Sequence, residues 1–204
     1  MNPYKKGEFN TFFAFDCETS GMNKDFNNGD IAQGYQMVSI GLVLTDLKTL
    51  KVNDELYREI KWNGVSKWDK GAEKVHGLSK EYLEENGVSE EEALAEMGAF
   101  FYDNVGLGPI ILLGQNVGVF DRPFLIDAFK KHGITDFKFA QRNIDLFSAS
   151  MATIGAFTSD EIFEKTGLKA RGTHNALEDA KYSLKAFRRI NKSWQQLIER
   201  SKKG

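Results

Sequence analysis

A three-layer α/β domain built on a mixed sheet is what this sequence predicts, and three observations predict it. The chain has 204 residues, enough for a single domain (residues 1–204) with a full apolar core. Its segments read β-β-β-α-β-α-β-α-α, a run of strands followed by alternation with helices. No repeat, low-complexity linker or proline-rich hinge divides it, and there are only 3 prolines.

Each element has its own signal. GEFNTFFAFD alternates and then runs apolar up to Asp16, which predicts a buried first strand. Residues 23–34 are rich in Asn, Asp and Gly and form a loop. Residues 37–45 and 56–62 give the second and third strands. Residues 89–104 open with Ser89 and Glu92 at capping-box spacing and set Ala93, Leu94, Met97 and Phe101 on one helical face. Residues 109–113 are a short apolar run and make an inner strand. Residues 121–132 form a helix with Pro123 in its first turn and Gly133 just past its end. Residues 143–147 supply the last strand. A helix over 159–166 is closed by Gly167, and a long final helix runs from 175 to near 200.

Composition narrows the function classes. Hydrophobic residues make up 41% and charged residues 27%, ordinary for a soluble protein. A net charge of -2 and a pI of about 6.0 argue against coating long duplex nucleic acid. Short local contact with an end or a single strand stays open. The single cysteine, Cys17, rules out an internal disulfide and fits a reducing compartment. No run reaches the roughly 18 apolar residues of a membrane helix, and MNPYKKGEFN lacks a signal peptide's apolar centre. A cytoplasmic protein with no membrane partner is expected.

Five residues carry the chemistry: Asp16 and Glu18 in FAFDCETSG, Asp121 in GQNVGVFDRPFL, and His174 with Asp179 in GTHNALEDA. Asp16 and Glu18, two apart in an extended strand, point to one face. Two adjacent acids raise each other's pKa unless a cation neutralises them. Any lone D-x-E is more simply a solvated strand end. Asp121 alone is an acid favoured at a helix start, worth about 0.3–1 kcal/mol. Asn175 to Glu178 has capping-box spacing, which puts His174 just outside the final helix and Asp179 in its first turn. Acids without matching cations, joined by one histidine, suggest two-metal phosphoryl chemistry with the histidine moving a proton.

FDCETSG, VFDRPFL and HNALEDA, in that order, resemble the three motifs of the DnaQ-like, or DEDDh, 3′–5′ exonucleases, relatives of polymerase proofreading subunits, RNase T and oligoribonuclease. KVHGL (residues 74–78) is similar to a short segment that family carries between its first two motifs. The likeness covers a core of about residues 9–190. It implies a ribonuclease H-like fold, three α/β/α layers around a five-stranded mixed sheet. It implies hydrolysis of phosphodiester bonds at single-stranded 3′ ends, releasing 5′-mononucleotides. Two divalent cations, Mg²⁺ or Mn²⁺, would be held by Asp16, Glu18, Asp121 and Asp179, with His174 as general base. Hard oxygen ligands and the lack of a Cys/His quartet agree with those metals. By the same likeness Thr19, Met22, His76, Asn116 and Phe124 would line the substrate. Phe124 reads equally well as a core residue.

This chain departs from the pattern in four places. Gln115 stands where the family usually has His, and one extra residue separates Asn116 from Asp121. The loop over 23–36 is longer, and Ser39 replaces a frequent glutamate. None removes a proposed ligand or the base. Residues 25–30 resemble a calcium loop only superficially, because the glycine is misplaced and no bidentate glutamate follows. Acidic residues 81–96 and the basic C-terminal residues read as solvated helix faces, and Trp62 and Trp68 as packing. A rival reading, an accessory module that docks on a DNA polymerase, would favour a Pro- and Gln-rich tail, whereas the sequence ends in Lys-Lys-Gly. A polymerase partner and a homodimer stay open, as does the choice between DNA and RNA.

Overall fold

Strand β1 (Thr11–Thr19) is the middle of the molecule: Phe12, Phe13, Ala14 and Phe15 are all fully buried. A strand covered on both faces is apolar throughout, which is why the sequence loses its alternation there. The computed structural model describes residues 10–25, 30–169, 172 and 174–202. Residues 7–9 of the expected first strand, residues 26–29 of the calcium-like loop, Thr173 in the third motif and Lys203 lie outside the described residues.

β2 (Met37–Asp46) pairs antiparallel with β1, and β3 (Val52–Glu59) pairs antiparallel with β2. Two seven-residue helices follow, α1 (Lys70–His76), capped by Asp69, and α2 (Lys80–Asn86), capped by Ser79. α3 (Glu90–Val105) is the expected helix, with the Ser89 hydroxyl accepting from the Glu92 N–H and Ala93, Leu94, Met97 and Phe101 buried. The apolar run over 109–113 divides between two sheets. β4 (Pro109–Ile110) pairs with β6 (Lys138–Phe139), whereas β5 (Leu112–Gly114) joins the main sheet beside β1. α4 (Asp121–Lys131) comes between β5 and β6. β7 (Ile144–Asp145) is only two residues long, because Asp145 already caps α5 (Leu146–Ile154). α6 (Ser159–Lys165) carries a full capping box from Thr158 and Glu161. α7 (Ala176–Ser201) is the long final helix.

The main sheet has five strands in the order β3-β2-β1-β5-β7, with β5 and β7 parallel to β1. This is the three-layer mixed-sheet architecture that the sequence predicts. On one face Phe13, Phe15, Ile40 and Leu42 pack against Leu94, Met97, Phe101 and Phe129 of α3 and α4. On the other, Phe12, Ala14, Val43 and Leu113 pack against Ala180 and Leu184 of α7. Full burial of each Phe, Ile, Leu, Val or Met side chain among them is worth about 1.5–3 kcal/mol. Phe13 meets Phe101 edge to face, with ring centroids 4.9 Å apart. No helix among the described residues is long and apolar enough to cross a membrane.

Candidate active site

β1 outruns β5, and that mismatch opens the sheet. The two strands pair only at Phe13 with Leu112 and Ala14 with Leu113, while β2 accompanies β1 as far as Thr19. Even-numbered residues of β1 face α7, so Asp16 and Glu18 continue the row begun by Phe12 and Ala14. Backbone groups of residues 15–19 that β5 leaves unpaired must find other partners. The Cys17 N–H donates to Asp121 Oδ1 at 3.0 Å.

α7 reaches the same strand end because of one glycine. Gly41 is the ladder partner of Asp16, and a Cβ there would lie 2.3 Å from backbone atoms of Ala176 and Leu177. Only glycine permits an approach this close. The helix start is fixed by Asn175, whose side chain accepts from the Glu178 N–H. The expected reciprocal half of that capping box is not made, since Glu178 turns to Lys181 at 3.2 Å. Asp179, one residue further on, is thereby buried at 2% exposure against the sheet.

Three of the five expected residues converge tightly. One ligand atom from each of Glu18, His174 and Asp179 lies within 4.8 Å of the other two. His174 Nδ1 is 3.1 Å from Asp179 Oδ2, and the ring is half-exposed with its side chain at 44%. Asp16 is partly exposed on the same face of β1. Asp121 approaches from α4 instead and grips the backbone between the two strand acids. Burial pushes its carboxyl up to about 7, opposed by hydrogen bonds from the Cys17 backbone and thiol. Burial also raises the Cys17 thiol well above its ordinary value, with the Asp121 and Asp16 charges adding to the effect. Cys17 packs in the core and stays protonated, a poor metal ligand.

Four carboxylates brought to one strand end suit a hard divalent cation. The raised Asp121 carboxyl agrees, because burying a charge without a counter-charge favours the neutral acid. Asp16, Glu18, Asp121 and Asp179 are the residues available to hold such ions.

The expected substrate-lining residues divide. Thr19 is buried just after a register shift in the β1–β2 ladder. His76 ends α1 and is 5% exposed; its Nδ1 accepts from the Leu78 N–H at 3.0 Å, and burial lowers its pKa. Trp68 meets the His76 and Trp62 rings edge-on, each at 6.4 Å, and Lys80 Nζ sits 3.3 Å over Trp62. Met22 and Asn116 line a cleft of about 600 Å³ together with Ile31, Val119, Phe120 and Pro123. Asn116 adopts a left-handed conformation, φ 55°, and its N–H donates to Asp145 Oδ2. Phe124 is a correction: at 2% exposure it belongs to the core, tilted against Phe120, and Phe120 is the ring that faces the cleft. Gln115, at the variant position, joins three elements: the Ser159 hydroxyl donates to its Oε1, and its Nε2 donates to Ser183 of α7. The sequence reading missed Gly41, Val119 and Phe120. A glycine inside an apolar strand was the available signal for Gly41.

Residues 13–187 match the RNase T family model, described as Exonuclease. The structure is similar to E. coli Exonuclease I in complex with a dT13 oligonucleotide, with a TM-score of 0.73 and 16% identity over 94% of this chain and 43% of that one. A zinc-ion-bound form of the E. coli ExoI–ssDNA complex gives 0.71 at 17% identity, covering 91% and 41%. The nuclease domain of 3′hExo, a DEDDh family member bound to rAMP, gives 0.69 at 12% identity, covering 93% and 95%. At these identities the likeness establishes the fold, and the chain spans about two fifths of the Exonuclease I chains it matches. No curated protein matches it.

Proposed function

The chain belongs to the exonuclease family, and from that membership we propose that it is a metal-dependent 3′–5′ exonuclease that removes mononucleotides from single-stranded ends. The observation that carries the reading is the convergence of Glu18, His174 and Asp179 within 4.8 Å. Glu18 and Asp179 are 161 residues apart (179 minus 18), so folding alone brings them together.

Asp16, Glu18, Asp121 and Asp179 would hold two Mg²⁺ or Mn²⁺ ions. When bound, such a pair neutralises the acids and stabilises the charge that develops in an in-line phosphoryl displacement. His174 takes the proton of the attacking water. Its half-exposed ring passes that proton to solvent. The Asp179 carboxylate beside Nδ1 orients the imidazole. Met22, Val119 and Phe120 offer the terminal base an apolar stacking surface, and such stacking is sequence-tolerant.

Matched 3′-labelled DNA and RNA oligomers, incubated with Mg²⁺, Mn²⁺ or EDTA, test the reading. Mononucleotide release should need metal and should vanish in Asp16→Ala and His174→Ala variants that keep a wild-type circular dichroism spectrum. Undiminished release by both variants would overturn it.

A further inference from the structure

We propose that a basic groove between α6 and α7, separate from the acidic cleft, holds upstream phosphates of the strand whose 3′ end is being trimmed. This rests on the exonuclease reading and adds a second contact region for the same substrate. The groove encloses about 370 Å³ and presents Lys165, Arg189 and Lys192, with Thr166, Ser193 and Gln196 as further hydrogen-bonding groups. No carboxylate lines it. None of the three cations forms an ion pair among the described residues.

Two of the cations are anchored in place. Lys165 Nζ donates to the carbonyls of Ile154 and Gly155 at 3.1 and 2.8 Å, at the end of α5. Arg189 Nη1 donates to the Thr166 carbonyl, which leaves donors of its five-donor fork to spare. Lys185, Arg189 and Lys192 are spaced i, i+4 and i+7, so they form one row along α7. That row begins six residues past Asp179 (185 minus 179) and runs into the groove. At 1.5 Å per residue, Arg189 and Lys192 are about 15–20 Å along the helix axis from Asp179.

The openness of the groove selects the occupant. Lys165, Arg189 and Lys192 are all exposed, so water screens any single small anion held there. A strand gains from several phosphates at once, because each neutralised phosphate releases counterions. At about 3.4 Å per phosphate along one strand, about four to six nucleotides cover the distance from the acidic residues to the groove.

The test uses the Arg189→Gln, Lys192→Gln double variant, leaving Lys165 to hold the end of α5. Binding of a 5′-fluorescein 12-nucleotide single strand is followed by anisotropy in Ca²⁺ buffer across a salt series. The double variant should bind roughly fivefold or more weakly at low salt, with the log–log salt slope reduced by about 1.4, two single-strand phosphates. Turnover of a dinucleotide, too short to reach the groove, should stay at the wild-type level. Affinity for the 12-mer within twofold of wild type, or no 12-mer binding by wild type at all, overturns the inference. So does a variant that loses competition by inorganic phosphate while keeping the 12-mer. Wild-type protein that binds with this signature yet releases no nucleotide would sink the exonuclease reading and leave the groove standing.

Discussion

Gly41 lies directly opposite Asp16 in the β1–β2 ladder, and the side chain it lacks is the space that the first turn of α7 occupies. The two residues are therefore coupled: one supplies an acid, and the other seats the helix that brings Asp179 beside Glu18.

Replacing Gly41 tests that coupling. In Gly41→Val the new side chain meets the Ala176 and Leu177 backbone, which cannot swing aside as a side-chain tip could. A loss of about 1–3 kcal/mol is expected for such overpacking, read from urea midpoints. Mn²⁺ affinity by calorimetry should fall with it, at temperatures where the variant is still folded. Wild-type Mn²⁺ affinity in the folded variant would show that α7 is seated by something else.

The pH dependence of the metal-free protein should expose Asp121. Its carboxyl titrates near 7 in the fold, against 3.8 as its ordinary value. The folded state holds this proton more tightly than the unfolded chain, so stability rises as pH falls from about 7 toward 4 and is lost as pH climbs back. His76, whose pKa burial lowers, works in the opposite sense over part of the same window. Asp46, Glu73 and Glu161 lie below the usual carboxylate range, so their contributions fade only at lower pH. The informative quantity is wild type minus Asp121→Asn in EDTA. By calorimetry that difference should favour wild type more at pH 5 than at pH 8, and a flat difference would contradict the assignment.

Phe120 and Phe124 should separate function from packing. Phe124→Ala opens a cavity in the core and should cost about 3–5 kcal/mol in stability. Phe120→Ala, at a ring only partly buried, should lower the urea midpoint clearly less than Phe124→Ala while raising the KM for an oligomer, as expected when a base loses a stacking partner worth roughly 1–3 kcal/mol. Equal effects of both substitutions on KM would mean that the two rings act as one unit.

The sequence made the buried strands and the long amphipathic helices legible, because their patterns are set by burial. β1, β2, α3 and α7 fall where apolar spacing puts them. Harder were elements whose reasons are tertiary. β3 was expected over 56–62 and runs Val52–Glu59 instead, since as an edge strand its VNDE start is polar. α1 and α2 are seven residues each, too short for a periodic signal, and rest on the caps Asp69 and Ser79. α5 was missed because LFSASMATI is apolar almost all round. At the site, the ordered motifs that resemble the family's singled out the acids and the histidine, and the structure brings Glu18, His174 and Asp179 together. The Cys17 N–H that Asp121 accepts from was not legible, because it depends on where β5 stops.

The separation of Glu18 from Asp179 has a consequence for biosynthesis. A ribosome delivers β1 early, yet the strand acids gain their partner only after residue 179 has emerged and α7 has docked. A nascent chain stalled before that point carries the cleft residues Met22 and Phe120 but lacks the cluster of Glu18, His174 and Asp179.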